Sequence, residues 1–181
     1  MRPNSAIERE KPHPATLIAM SRMSIAEFET HQARIRAGAT QPQYALGIDP
    51  GVHCGYARYC CTTRKLVEVS TLGFWGVYDH VRTTYTPDQV EIFIEKTPRN
   101  RLYARRDGMA GRVRDRVAGN VGANQMIATL LIEGFRALGY SVTEVKPTSA
   151  KWTLGEFKRL TGYYGRTSEH GRDAAKLIFG R

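Results

Sequence analysis

Tyr44-Ala45-Leu46-Gly47-Ile48-Asp49-Pro50-Gly51 is the stretch whose reading decides the fold. Five apolar or small residues run straight into an aspartate and a Pro-Gly turn, the pattern of a compact strand that ends on a charge. A carboxylate at the end of a buried strand is costly unless something compensates it. In open α/β sheets, the carboxyl ends of the strands are where sites are built.

Downstream, Gly55 to Cys61 and Leu66 to Phe74 are two further strand-like runs, joined by Thr62, Thr63, Arg64 and Lys65. With the first strand they form a three-stranded antiparallel meander. Val90 to Glu95 is a fourth, mostly apolar strand closed by Pro98. The intervening Gly76 to Pro87 reads as too short, and too rich in Tyr, Thr and Val, for a sizeable helix. A helix is expected from about Val121 to Leu138, where Ala123, Ile127, Leu130, Leu131, Gly134 and Leu138 recur at helical spacing and Gly139 supplies the stop. Ser141 to Val145 is a fifth strand ended by Pro147; a short helix, a Gly- and Tyr-rich loop and a last helix from near Ser168 follow. The expected fold is α/β: a mixed five-stranded sheet, three antiparallel strands and then parallel ones, flanked by helices.

Upstream of Tyr44 the pattern changes. Residues 1 to about 14 are polar and carry Pro3, Pro12 and Pro14, as a tail would. Ser24 and Glu27 have capping-box spacing, and Ile25, Phe28 and Ile35 lie behind them on one face of a helix running to Ala37, which Gly38 stops. The chain therefore divides into 1–43, a tail and an extra helix, and 44–181, the sheet domain.

The chain has 181 residues, enough for one such domain. No apolar run approaches the roughly 20 residues of a membrane helix, so no membrane is expected. Lys and Arg total 27 against 17 acidic residues, a net charge of +10, which points to a polyanionic partner, most often nucleic acid. Cys54, Cys60 and Cys61 are odd in number and lack CxxC spacing, so neither a disulfide framework nor a zinc site is signalled. Reduced cysteines and the absence of a secretory h-region place the expected location in the cytoplasm. Glutamates within the first 30 residues argue against an organellar presequence.

Four positions carry the chemistry. Asp49 and Glu95 each end an apolar strand, and His170 and Asp173 stand three apart at the start of the last helix, so they share one face. If the first and fourth strands are neighbours, the two carboxylates meet, and the last helix can bring the other pair to them. Carboxylates crowded this way cannot all stay ionised without a cation. Oxygen-rich clusters suit Mg²⁺ or Mn²⁺, and two such ions about 4 Å apart can activate a water and stabilise a leaving phosphodiester oxygen. Each residue also has a plainer reading. Asp49 can be a turn former, Glu95 half of an ion pair with Lys96 or an arginine, and His170 and Asp173 decoration favoured by a helix dipole.

Taken together these motifs resemble the RuvC family of Holliday-junction resolvases, in the ribonuclease-H-like superfamily. Leu46 to Gly51 followed by Gly55-Tyr56-Ala57 looks like that family's first motif, and Ile94-Glu95-Lys96 like its second. Val142 to Pro147 with Lys151 and Gly155 is similar to its next strand and downstream lysine, and His170-Gly171-Arg172-Asp173-Ala174-Ala175 to its last motif. The resemblance covers residues 44 to about 179. It implies a ribonuclease-H-like fold and a homodimer, of a bacterium or phage, that cuts branched DNA symmetrically. It also implies Mg²⁺, two ions per site with Mn²⁺ as a substitute, held by Asp49, Glu95, His170 and Asp173. Lys151 matches a lysine near the cleaved phosphate, and Lys158 a second one. Three features depart from the family: no sizeable helix is expected between the third and fourth strands, the segment after Glu95 is unusually arginine-rich, and the N-terminal helical segment is extra.

That segment, Arg99 to Arg116, holds seven arginines against two aspartates. Arginine grips phosphate with paired hydrogen bonds. Arg99, Arg101, Arg105 and Arg106 are therefore expected to contact DNA, with Lys151 and Lys158, and Tyr103 to stack on a base or wedge into a junction. The expected activity is a structure-selective, Mg²⁺-dependent endodeoxyribonuclease. The rival readings are a hybrid-specific nuclease of the ribonuclease H type, a DNA-binding module of the same fold that does not cleave, and an actin-like nucleotide-binding protein, for which the chain is short.

Overall fold

A computed structural model describes residues 42–97, 111–148 and 150–181, the stretch 111–121 as backbone only. The expected N-terminal helix and the residues from Arg99 to Arg106 lie outside the described residues. Five strands form one sheet: β1 (Tyr44–Asp49), β2 (Cys54–Cys60), β3 (Lys65–Leu72), β4 (Val90–Glu95) and β5 (Ser141–Val145). Among the described residues four helices accompany them: α1 (Phe74–Thr84), α2 (Gly111–Ala137), α3 (Leu154–Thr161) and α4 (Glu169–Ile178). The strand order is β3-β2-β1-β4-β5. Strands β1, β2 and β3 are antiparallel neighbours, and β1, β4 and β5 run parallel. This is the ribonuclease-H-like arrangement expected from the sequence.

The alternation of side chains along each strand sorts the core into two layers. Leu46 and Ile48 of β1, with Ile92 and Ile94 of β4, pack against Val77 and Val81 of α1 and against Ala128, Leu131, Ile132 and Phe135 of α2. Ala45 of β1 and Phe93 of β4 face the other way, onto Phe157 of α3 and Ala174, Ala175 and Ile178 of α4. Asp49 and Glu95 follow the second parity, so both acids point toward the α4 side.

Two expectations about local structure need correcting. The chain between β3 and β4 is a helix after all, and Phe74, assigned from sequence to the end of the third strand, starts it. Its Tyr, Thr and Val content is unfavourable for an isolated helix, but Val77 and Val81 are fully buried and Tyr78 stacks on Phe135 of α2, ring centroids 5.4 Å apart. Tertiary packing overrides propensity here. On α2, Leu131 lies in the core as expected, but Leu130 is exposed, as is Leu138 just past the helix end; Ala128, Ile132 and Phe135 complete the buried face instead. The cysteines are free, Cys54 and Cys60 buried in β2 and Cys61 half-buried. Among the described residues, no helix is long and apolar enough to cross a membrane.

Candidate active site

The sheet brings the first pair of acids together. β1 and β4 are parallel with Ile48 beside Ile94, so one step further along the same register Asp49 stands beside Glu95. The last helix brings the second pair. Ser168 caps α4, its hydroxyl accepting from the Gly171 N–H at 2.9 Å, and the next turn presents His170 and Asp173 on one face.

Burial of Ala174, Ala175 and Ile178 anchors that helix on the sheet, and backbone contact sets how close it comes. A Cβ on Gly47 of β1 would run into the Ala174 carbonyl oxygen, and one on Gly55 of β2 into the carbonyl of His170. Gly55 is also the residue paired with Asp49 across β1 and β2. The absence of a side chain at these two positions lets α4 lie directly on the sheet, with the His170 peptide over Gly55 of β2, the cross-strand neighbour of Asp49.

The result is a cleft of about 190 Å³ lined by Asp49, Glu95, Thr148, Lys151, His170, Asp173, Lys176 and Leu177. His170 Nδ1 lies 2.9 Å from the Asp49 carboxylate. Lys151 Nζ is 3.4 Å from Asp173 and also bonds Glu169, the first residue of α4. Lys96 is not the partner of Glu95; its ammonium pairs with Glu144 at 2.9 Å. Burial pushes the Asp49 carboxyl above its ordinary range, partly offset by the His170 contact. Glu95 is pushed up to about 7, first by burial and then by the charges of Asp49 and Asp173, while Lys151 and Lys176 pull the other way.

Of the residues expected from sequence, Asp49, Glu95, His170, Asp173 and Lys151 all line this one cleft. Lys158 does not; it belongs to the last part of α3, where its carbonyl accepts from the Gly162 N–H at the helix end. Sequence reasoning missed Thr148, Glu169 and Lys176. Lys176 had a signal, since it follows Asp173 by three and so shares its helix face. Glu169 reads from sequence as first-turn decoration of the helix, and Thr148 as an ordinary loop residue.

Three carboxylates and an imidazole are a donor set suited by chemistry to a hard divalent cation such as Mg²⁺ or Mn²⁺. Burial first, and then the neighbouring charges of Asp49 and Asp173, raise the Glu95 carboxyl, which a bound cation would counter. Among the described residues, no three such groups already close around a single point as ligands; Asp49 is engaged by His170 and Asp173 by Lys151. No protein-family model matches the chain, and no curated protein matches it either, so the chemistry of the cleft is read from its own geometry.

Proposed function

We propose that this protein is a metal-dependent endodeoxyribonuclease acting on four-way or otherwise branched DNA, of the RuvC type. The observation that carries the reading is the convergence of Asp49 and Glu95, from adjacent parallel strand ends, with His170 and Asp173 of α4 in one cleft. These four residues would hold Mg²⁺, with Mn²⁺ as a substitute and two ions per site. When bound, such ions supply a nucleophilic water at neutral pH and charge stabilisation for the leaving oxygen. The chain's own groups complete the site. The His170–Asp49 contact fixes the imidazole against the first carboxylate, and Lys151 offers an ammonium where a phosphate must enter. Symmetric incision of a four-way junction needs two such centres related by a two-fold axis. The proposed working form is therefore a homodimer, which sedimentation with and without DNA would reveal.

A panel of labelled four-way junction, flap, linear duplex and RNA–DNA hybrid, incubated with Mg²⁺ or with EDTA, tests the proposal. Junction cleavage that needs the metal and disappears in Asp49→Asn, with junction binding retained, is the expected result. Preferential cutting of the hybrid would move the activity to the ribonuclease H type. A second reading draws on the Lys151 contacts with Asp173 and Glu169, which already neutralise part of the cleft: a branched-DNA-binding module that does not cut. Tight junction binding with no cleavage at any Mg²⁺ or Mn²⁺ concentration would favour it.

A further inference from the structure

Among the described residues, Lys176 is the one charged side chain that is buried, 8% exposed. A buried ammonium is costly unless its donors are satisfied. Here Nζ donates to the Thr148 hydroxyl at 2.8 Å and to the Ala150 carbonyl, and the Trp152 ring lies 5.9 Å away. All three partners belong to the segment between β5 and α3, and Lys151 stands between the second and the third. Lys151 in turn reaches back to α4, bonding Glu169 and approaching Asp173. The two lysines thus lace helix and loop together in opposite directions, one from α4 into the loop backbone and one from the loop onto α4.

We infer that Lys176 is a positioning residue that fixes the Thr148–Trp152 loop and so sets where the Lys151 ammonium stands over the Asp49–Glu95–Asp173 cleft. The geometry distinguishes the roles. Lys151 is 60% exposed at its side chain and open to an incoming anion, whereas Lys176 is buried and gives two of its donors to the loop. Thr148 and Ala150 flank the approach to Lys151 on its N-terminal side and Trp152 on its C-terminal side, so releasing them frees the lysine from both directions.

The role of Lys151 toward DNA rests on the function proposed above, but its tethering does not, and two readouts separate them. The first is acetylation of Lys151 by an amine-reactive ester, followed by mass spectrometry on the intact folded protein. Lys176→Met should raise the labelling rate of Lys151 several-fold, with other surface lysines unchanged; Thr148→Val, a milder change, should act in the same direction and replaces Lys176→Met if that variant does not fold. An unchanged Lys151 rate in a folded variant overturns the inference. The second readout is junction cleavage, if wild type cleaves. Because small misplacements of a reacting group cost up to about a hundredfold in rate, Lys176→Met should lower kcat by about tenfold or more, with KM within about twofold. In a Lys151→Met background the same change should cost far less, since most of its effect acts through the side chain already removed, the remainder being its own charge near Glu95. Additive losses would overturn the inference. A wild type with no cleavage would remove the nuclease reading and leave the labelling rates to decide this one.

Discussion

At the end of β4, Glu95 sits half-buried beside two other carboxylates, and its acidity moves from an ordinary 4.5 to about 7. A carboxyl whose pKa is higher in the folded than in the unfolded state favours folding only while it is protonated. That contribution is complete below about pH 4.5 and is lost as pH rises through about 7. At 1.36 kcal/mol per unit the whole shift is on the order of 3 kcal/mol, and solvent screening of a half-buried group brings the loss nearer to about 2 kcal/mol. The raised Asp49 carboxyl works in the same direction at lower pH. Metal-free protein in EDTA should therefore show a falling urea midpoint between about pH 5 and 8, and Glu95→Gln should flatten most of that fall. Equal slopes in the two proteins would mean that Glu95 ionises freely in the fold. Addition of Mg²⁺ at about pH 8 should raise the midpoint of wild type more than that of Glu95→Gln, because a ligand that binds only the folded state stabilises it by an amount that grows with the logarithm of its concentration over Kd. The positions of Asp49, Glu95, His170 and Asp173 are legible in the sequence because each lies at the end or the start of an element, where periodicity stops and a charge appears. The roles of Lys176 and Glu169 are not, because their meaning depends on the path of a loop that no spacing reveals.

The element whose placement matters most is α4, which rests on β1 and β2 through Gly47 and Gly55. Gly55→Ala would press a methyl into the His170 carbonyl and the Gly171 nitrogen, both backbone atoms that cannot rotate away. The helix must lift, and overpacking of this kind costs about 1–3 kcal/mol. The same shift would draw His170 and Asp173 away from Asp49 and Glu95. Gly55→Ala should therefore lose stability and cleavage together. Gly122→Ala on α2, where a Cβ meets nothing within 4 Å, should gain up to about 1 kcal/mol, since alanine is the better helix former. Thermal melts and junction cleavage of the two variants make the comparison; a neutral Gly55→Ala would show that the helix has room to spare. The strands are readable because their apolar runs are short and bounded by turns. Helix α1 escapes the sequence although its spacing is present: Phe74, Val77, Tyr78 and Val81 lie on one face, while their aromatic and β-branched chemistry argues for a strand. The face is stabilised by Phe135 and Gly134 of α2, partners far along the chain from Tyr78.

For the molecule as a whole, positive charge is concentrated in the sequence shortly after a residue of the cleft. β4 ends at Glu95, on the cleft side of the sheet, and the chain passes from there into the arginine-rich stretch that begins at Arg99. The excess of positive charge, +10 overall, thus has a dense block following directly on a residue of the site. Replacing Arg105 and Arg106 with Ala should weaken binding to all junction sequences alike and shrink the slope of log affinity against log salt by about 0.9 for each phosphate that is no longer neutralised. Tyr103→Ala should reduce the preference for junction over duplex while leaving the slope in place. A salt titration of both DNA forms separates these outcomes, and an unchanged slope in the arginine variant would turn the search for the DNA path toward Lys151.

The seat of α4 on bare glycine backbone has a consequence for how the protein tolerates change over generations. At Gly47 and Gly55 the separation between helix and sheet is set by peptide groups in contact. Tyr59, Phe157 and Ile178 are buried in the layer around that seat, so exchanges among them are tolerated where volume is conserved, with the acids keeping their spacing. Length is a different matter. One residue inserted between His170 and Asp173 would turn the second of them by about 100° around the helix axis and take its carboxylate out of the cleft, with no neighbouring substitution able to bring it back.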